Sequence, residues 1–222
     1  MPNRSDTHLV APKHVDSWHA ASANDTRLRP SLQDSIETDV CIVGAGYTGL
    51  SSAIHLREQG FKVVIREADR IGFGASGRNG GQIVHSYSRD MDFIERHYGT
   101  DKAVKMGQMA FEGGRIIRRL IDDHKIRCDL RNGGIFAACN ARQMSELEDK
   151  KQLWEQHGHR SLELLDHQQL QEYVGSERYV GALLDHSGGH IHPLNLALGE
   201  AAAIEQMGGC IYEDSAVTRI DR

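Results

Sequence analysis

Hydrophobic residues form two short runs near the start of the chain, with a segment of helical spacing between them. The first run, 39–43, is nearly continuous, which is typical of a strand buried on both faces of a parallel sheet. Apolar residues of 50–56 recur every three or four positions, and Gly60 follows where a helix commonly ends in glycine. The second run, 61–65, predicts another strand. We therefore predict a strand–helix–strand unit with a right-handed crossover.

The pattern changes after this unit, where apolar positions indicate longer helices and isolated strands. Amphipathic spacing predicts a helix over about 100–123 and strands at 133–139 and 179–184. Asn140 and Gln143 have the spacing of a capping box, which predicts the start of a further helix. This part of the chain therefore has the character of an α+β insertion.

An α/β pattern returns after residue 188. Pro193 suits the first turn of a helix, and the apolar pattern continues that helix to Met207. Residues 210–212 then predict a third parallel strand, and 216–220 a fourth. The predicted fold class is α/β: a Rossmann-like domain that starts with the strand–helix–strand unit and is interrupted by an α+β segment.

Four segments follow from these changes of pattern. They are an N-terminal arm (1–38), the first segment of the nucleotide-binding domain (39–88), a substrate-domain segment (89–187) and the second nucleotide-binding segment (188–222). The arm is polar, and only the residues around Trp18 suggest a short helix. Because the sequence ends inside the predicted fourth strand, which would leave an unpaired sheet edge, we expect it to be truncated.

A G-x-G-x-x-G motif lies between the first predicted strand and the first predicted helix, with its glycines at Gly44, Gly46 and Gly49. In this context the first glycine permits a tight turn, the second lets the backbone approach a pyrophosphate, and the third allows close packing of helix on sheet. Glu67 follows 23 positions after Gly44, at the end of the second strand, where a carboxylate can bind a ribose. The alternative for Glu67 is a solvated charge, but the combined context predicts a dinucleotide site.

The next segment, 71–82, holds five glycines and several small polar residues in twelve positions. It could be a flexible linker. Alternatively it is a loop held against a ligand, with Ser76, Arg78 and Asn79 as hydrogen-bond donors and glycine N–H groups that suit an anion.

Two strings, DVCIVGAGYTGLSSAIHL and EADRIGFGASGRNGGQ, resemble the D-amino-acid-oxidase-like family of flavoproteins, and within it the gamma-glutamylputrescine oxidoreductases. The strings GGHIHPLNLALGEAA and GGCIYEDSAVTRI are also similar to that family. The resemblance covers about 39–222 and is looser between 90 and 185.

The resemblance implies FAD as the cofactor. It implies that the glycine motif lies under the pyrophosphate, that Glu67 binds the adenosine ribose, and that Val217 presents its backbone to the adenine. It also implies that Arg70, Ser76 and the loop 77–82 approach the phosphates and the isoalloxazine ring. The complete set of implied cofactor-binding residues is Gly44, Gly46, Tyr47, Thr48, Gly49, Glu67, Arg70, Ser76, Gly77, Arg78, Asn79, Gly80, Gly81, Gln82 and Val217.

The implied reaction is oxidation of a C–N bond in an amine or amino acid similar to gamma-glutamylputrescine, with dioxygen as acceptor and hydrogen peroxide as product. Family members are roughly twice as long, so we expect a missing C-terminal half to complete the fold. Two alternatives stay open: an NAD(P)-dependent Rossmann dehydrogenase, and an inactive or non-enzymatic flavin-binding fragment. The sequence identifies no catalytic residue.

Composition bears on nucleic-acid binding, on membrane insertion and on the location of the protein. A net charge of −5 without a basic block gives no support for nucleic-acid binding, and no apolar stretch is long enough to span a membrane. The four cysteines are widely spaced, and Cys41 and Cys210 fall in strands predicted to be buried. Reduced cysteines suggest a cytoplasmic protein.

Thirteen histidines raise the question of a metal site. The pairs His157/His159 and His190/His192 lack a partner at a convincing spacing, so no metal is predicted. His192 is better explained by the start of a helix at Pro193. His85 could approach the substrate, although a structural histidine is the simpler interpretation.

Overall fold

The computed structural model describes residues 14–85 and 87–221. The chain forms two compact units. The first unit contains the described residues up to Gly80, Ile126–Cys128, and the residues from His192 onwards; the second contains Gly81–Lys125 and Asp129–Ile191.

The described residues of the first unit form three helices, one 3₁₀ turn and three strands. In chain order these are α1 (Trp18–Ala21), β1 (Val40–Val43), α2 (Tyr47–Glu58), β2 (Val63–Arg66), a 3₁₀ turn (Ala75–Gly77), α7 (Pro193–Gln206) and β7 (Cys210–Tyr212). The second unit contains β3 (Gln82–Ile83), α3 (Met91–Tyr98), α4 (Thr100–His124), β4 (Arg131–Ala138), α5 (Ala141–Gln156), β5 (Leu162–Asp166), α6 (His167–Leu170) and β6 (Gly181–His190).

The sheet of the first unit is parallel and has β2 at its centre, in the order β1-β2-β7. Ile65 of β2 is level with Ile42 on one side and with Ile211 on the other. Helix α2 connects β1 to β2, so the predicted strand–helix–strand unit and the third parallel strand are confirmed. The fold class is α/β, as predicted.

The prediction that β1 is buried on both faces is wrong. Cys41 and Val43 are exposed, Val43 to 61% of its surface, and Cys210 of β7 is exposed as well. Helices α2 and α7 pack against each other and against this sheet. Alternate residues of β1 therefore point away from the helices, and their face is open in the described part of the chain.

The predicted fourth strand at 216–220 is also absent from the described residues. The carbonyl oxygens of Ser215 and Ala216 accept hydrogen bonds from the side chain of Arg66 at 3.1 Å each. Because a guanidinium takes these two acceptors, the segment after β7 begins as an irregular stretch beside the end of β2.

In the second unit, β6 is the central strand of an antiparallel sheet. It pairs with β4 along one edge, and with β3 and β5 along the other. The register against β4 shifts between Asn132, which is opposite Gly189, and Gly134, which is opposite Asp185. Strand β6 thus advances four residues while β4 advances two, which is a bulge in β6.

Most predicted elements of this unit are present, with longer or shifted bounds. Helix α4 extends over Thr100–His124, and β4 begins two residues before the predicted strand. Asn140 caps α5 by accepting from the N–H of Gln143, but the Gln143 side chain accepts from Cys139 instead of closing a capping box. A complete capping box lies instead at Asp166 and Gln169 of α6.

The structure moves both predicted domain boundaries. We placed them after residues 88 and 187, whereas the chain enters the second unit at Gly81 and leaves it after Ile191, with Ile126–Cys128 belonging to the first unit. The reason is β-pairing: β3 binds the last two residues of β6, so the strand after the glycine-rich loop belongs to the second sheet.

Hydrogen bonds hold the described part of the N-terminal arm against the rest of the first unit. The backbone N–H of Asn24 donates to Asn195 Oδ1, that of Arg29 to Glu213 Oε2, and that of Leu32 to Ser215 Oγ. The predicted short helix around Trp18 is present as α1. Residues 1–13 of the arm lie outside the described residues.

All four cysteines are free thiols. Among the helices that the structure describes, none has the length and apolar character that crossing a bilayer requires. A cytoplasmic location stays a prediction.

Candidate cofactor site

The turn between β1 and α2 requires its first and third glycines. Gly44 has φ +99°, which side-chain-bearing residues rarely adopt. A Cβ on Gly49 would lie 2.0 Å from the carbonyl oxygen of Gly44. Helix α2 can therefore begin directly against the turn only because residue 49 has no side chain.

Gly46 caps α2 and gives its N-terminus no side-chain hydrogen bond. The hydroxyl of Ser76, in the 3₁₀ turn, accepts from the N–H of Tyr47 at 3.0 Å. A Cβ on Gly46 would lie 3.0 Å from that same oxygen. The loop 71–82 thus places an oxygen at the positive end of the helix dipole, where an anion is favoured.

Glu67 follows β2 and binds back to the glycine turn. Its Oε2 accepts from the N–H of Ala45 at 2.6 Å, and its Oε1 accepts from the N–H of Asp69 at 2.9 Å. The carboxylate is half-buried and held by two backbone groups. Each oxygen retains a further lone pair that could accept from a ribose hydroxyl.

Arg70 is turned into the first unit, where its Nε lies 2.9 Å from Glu213 Oε2. Glu213 is fully buried and also accepts from the backbone N–H groups of Ile71 and Arg29, at 2.8 and 3.0 Å. This carboxylate joins the start of the glycine-rich loop to the N-terminal arm. Sequence analysis missed Glu213, because nothing in its local pattern shows that three distant segments meet there.

The middle of the loop is ordered by its own backbone. Gly77 is buried, and a Cβ there would lie 2.4 Å from the carbonyl oxygen of Gly72. Asn79 donates to the carbonyl of Ser76 at 2.9 Å, and the exposed Arg78 lies over the ring of Phe73 at 5.2 Å. These contacts favour a shaped loop over the flexible-linker alternative.

The other predicted cofactor residues are more scattered. Thr48 is exposed in the first turn of α2, Gly80 is exposed, and Val217 is half-buried in the irregular segment after β7. Gly81 and Gln82 belong to the second unit. Whether any of them contacts the cofactor stays a prediction.

A buried carboxyl group lies in the same unit, on α7. Burial raises the pKa of Glu200 to about 8, and its Oε2 makes no hydrogen bond. Burial also raises the pKa of the neighbouring Tyr47 phenol, whose hydroxyl donates to the carbonyl of Pro193 at 2.9 Å. Glu200 therefore holds its proton in the folded unit at neutral pH.

The residues present fit a dinucleotide. Three features are brought together at the carboxyl ends of β1 and β2: a turn that only glycine can form, a helix N-terminus whose cap residue is glycine, and a strand-end carboxylate. That edge is where open parallel sheets bind nucleotides. This combination defines a dinucleotide-binding protein of the Rossmann type.

Comparison with known families identifies the particular group. Residues 39–222 match the DAO family, described as FAD dependent oxidoreductase, and the chain belongs to that family. FAD is the cofactor of this family, as the resemblance implied, and the NAD(P) alternative receives no support from it.

Individual relatives agree with the family. The chain is 60% identical over 208 residues to gamma-glutamylputrescine oxidoreductase of Escherichia coli (strain K12), covering 94% of the chain and 49% of the relative. Two solved structures share the fold. L-amino acid deaminase from Proteus myxofaciens is 19% identical with a TM-score of 0.73, covering 90% of this chain and 43% of that one. Glycine oxidase from Geobacillus kaustophilus is 22% identical with a TM-score of 0.68, covering 83% and 48%.

The chain spans about half the length of the curated relatives it matches. This agrees with the partial length expected from the sequence.

Proposed function

We propose that this chain supplies the FAD-binding part of an oxidoreductase that oxidises the C–N bond of an amine or amino acid. The observation that carries the proposal is the glycine turn held by Glu67, in a chain that belongs to an FAD-dependent oxidoreductase family. Since the chain spans about half of its curated relatives, the activity belongs to the natural full-length protein.

Each predicted contact has a physical role. Gly44, Gly46 and Gly49 would let the backbone approach the pyrophosphate, whose charge the N-terminus of α2 stabilises. The Tyr47 N–H, now bound to Ser76 Oγ, would be offered to a phosphate oxygen. Glu67 would accept from the adenosine ribose while Ala45 and Asp69 hold its carboxylate in place. When bound, FAD supplies the hydride acceptor for amine oxidation.

Residues of the glycine-rich loop would come next along the cofactor. Ser76, Arg78 and Asn79 offer hydroxyl, guanidinium and amide donors. Their backbone is already ordered by Asn79 and by the close approach of Gly77 to Gly72, so little ordering is needed on binding. Arg70 would contribute indirectly, because its ion pair with Glu213 positions the start of the loop.

We further propose gamma-glutamylputrescine or a similar amine as substrate and dioxygen as electron acceptor. The support is the 60% identity to the Escherichia coli gamma-glutamylputrescine oxidoreductase. For a primary amine the balanced reaction converts amine, dioxygen and water into aldehyde, ammonia and hydrogen peroxide.

The test uses the natural full-length protein. We expect a flavin absorption spectrum, bleaching of that spectrum by gamma-glutamylputrescine under anaerobic conditions, and one peroxide per aldehyde in air. Putrescine, glycine and sarcosine serve as comparison substrates. Protein that stays colourless after incubation with FAD would refute the proposal, and flavin that is bleached by substrate without forming peroxide in air would refute the dioxygen step alone.

A flavin-binding fragment without activity is a second candidate for the 222-residue chain by itself. The observation that favours it is the open face of β1, where Val43 is exposed to 61%. We expect the isolated chain to bind FAD without turning over an amine. Turnover equal to that of the full-length protein would exclude this candidate.

A further inference from the structure

The second unit brings together three metal-ligating side chains that are far apart in sequence. His85 follows β3, His159 follows α5, and Asp185 lies in β6. All three are buried, with 4–5% of their surface exposed. One donor atom from each lies within 4.8 Å of the other two.

One pair of donor atoms already has the spacing of a metal site. His159 Nε2 lies 3.2 Å from Asp185 Oδ2. In a tetrahedral zinc site with bonds of about 2.0–2.1 Å, neighbouring donor atoms are about 3.4 Å apart. His159 Nε2 is fully buried and makes no hydrogen bond of ordinary geometry.

Asp185 is oriented so that one of its carboxylate oxygens, Oδ2, is left for a metal ion. Both the N–H and the hydroxyl of Ser187 donate to Oδ1, at 2.9 and 2.8 Å. The bulge in β6 lies between Asp185 and Gly189 and places Ser187 beside the carboxylate.

His85 is oriented in the way that metal-binding histidines usually are. Its Nδ1 lies 3.3 Å from the carbonyl oxygen of Ala110, a contact of the kind that orients the ring of a metal-binding histidine. Its Nε2 lies 3.1 Å from Ser187 Oγ and 3.2 Å from Ser187 O. A water molecule could occupy a fourth position.

A cavity gives access to the cluster. It has a volume of about 130 Å³ and is lined by all three side chains together with Phe136, Lys150 and Trp154. Lys150 brings a positive charge to the lining, but its ammonium lies 3.6 Å from Asp90 and above the rings of Phe136 and Trp154.

We propose that His85, His159 and Asp185 bind one divalent transition-metal ion of the zinc type. Two imidazoles and a carboxylate suit such an ion, and three protein ligands leave a position for an oxygen donor. The ion would tie β6 to the segments that follow β3 and α5, and so stabilise the second unit. The sequence could not predict this, because His85 and His159 are 74 positions apart.

The test uses the natural full-length protein, freed of metal with a chelator and titrated with Co²⁺ and with Zn²⁺. We expect one equivalent of Co²⁺ to give visible absorption bands that Zn²⁺ removes, and Zn²⁺ to raise the melting temperature. His159→Gln and Asp185→Asn should weaken Zn²⁺ binding at least tenfold. His186→Gln is the matched control, because His186 lies in the same strand but is exposed and bound to Glu163, and it should bind as the wild type does.

Wild-type protein that gives no Co²⁺ bands and takes up no Zn²⁺ would overturn the proposal. So would Zn²⁺ binding that survives His159→Gln, or that His186→Gln abolishes. If His159→Gln does not fold, Ser187→Ala is the deciding variant. It keeps all three ligands and removes a hydroxyl that contacts both Asp185 and His85. It should weaken Co²⁺ binding about tenfold, as loss of an outer-shell partner does, and unchanged affinity would count against the site.

Discussion

The carboxylate of Glu67 accepts a hydrogen bond of 2.6 Å from the backbone N–H of Ala45, which ties the end of β2 to the glycine turn that leaves β1. The other oxygen accepts from Asp69. The acidic residue that the sequence places near a ribose thus also supports the pyrophosphate turn. One side chain joins the two parts of the predicted nucleotide site.

Glu67→Gln tests this link. A neutral amide replaces one acceptor oxygen with a donor, so at least one charge-assisted hydrogen bond of about 1.5–3 kcal/mol is lost. We expect FAD affinity of the full-length protein to fall about tenfold or more, measured by flavin fluorescence. Glu37→Gln, at an exposed position of the same unit, should leave the affinity unchanged. Equal affinity of Glu67→Gln and wild type would show that Glu67 has no role in binding.

Gly49→Ala tests the close approach of α2 to the turn. The added Cβ would lie 2.0 Å from the carbonyl oxygen of Gly44, so the backbone must shift. We expect a loss of about 1–3 kcal/mol in the free energy of unfolding, the usual cost of overpacking, and reduced flavin content. Urea unfolding and absorbance at the flavin band measure the two effects. Gly74→Ala is the control, because a Cβ there meets nothing within 4 Å; similar losses for both variants would contradict the steric explanation.

Glu200→Gln tests the buried carboxyl group on α7. Its pKa is raised to about 8 when folded, against an ordinary value of 4.5, so its contribution to stability is full below about pH 4.5 and is lost as pH rises through 8. Glutamine cannot ionise. We therefore expect the variant to gain stability over wild type by a few kcal/mol between pH 5 and pH 9, at 1.36 kcal/mol per unit of pKa shift. A difference between variant and wild type that does not change with pH would contradict the assigned shift.

Glu213→Gln tests the buried carboxylate that joins the loop to the arm. The change leaves the buried Arg70 guanidinium without its counter-charge, which typically costs about 3–5 kcal/mol. Chemical denaturation of the full-length protein measures the loss. Glu146→Gln removes the exposed ion pair with Arg142 and should cost less than about 1 kcal/mol. Comparable losses of unfolding free energy in the two variants would mean that burial does not determine how much each ion pair stabilises the protein.

Adjacent glycines in α4 provide a matched comparison. A Cβ on Gly113 meets nothing within 4 Å, whereas a Cβ on Gly114 would lie 2.4 Å from the ring of the buried His85. Gly113→Ala should stabilise the protein by about 0.5–1 kcal/mol through helix propensity. Gly114→Ala should destabilise it by about 1–3 kcal/mol through overpacking. Melting curves test this difference. A higher melting temperature in both variants would contradict the close packing of Gly114 against His85.

Local regularities let the sequence determine the first unit well. The strand–helix–strand unit, the glycine turn and Glu67 depend on contacts within about thirty residues and on backbone conformations that only glycine adopts, so they are visible without tertiary structure. The start of α7 at Pro193 and the cap at Asn140 are equally local. Family membership follows from the same strings.

Tertiary structure alone decided which faces are covered and which distant groups meet. The exposure of Cys41 and the irregular course of 216–220 depend on what packs beside each strand, which a periodic pattern does not encode. Glu213 accepts hydrogen bonds from the arm and from the glycine-rich loop, and Asp185 contacts His159 at the start of the bulge in β6. The sequence by itself thus determined the nucleotide-binding class of the protein, whereas the buried polar clusters required the folded chain, since burial and long-range contact are properties of packing.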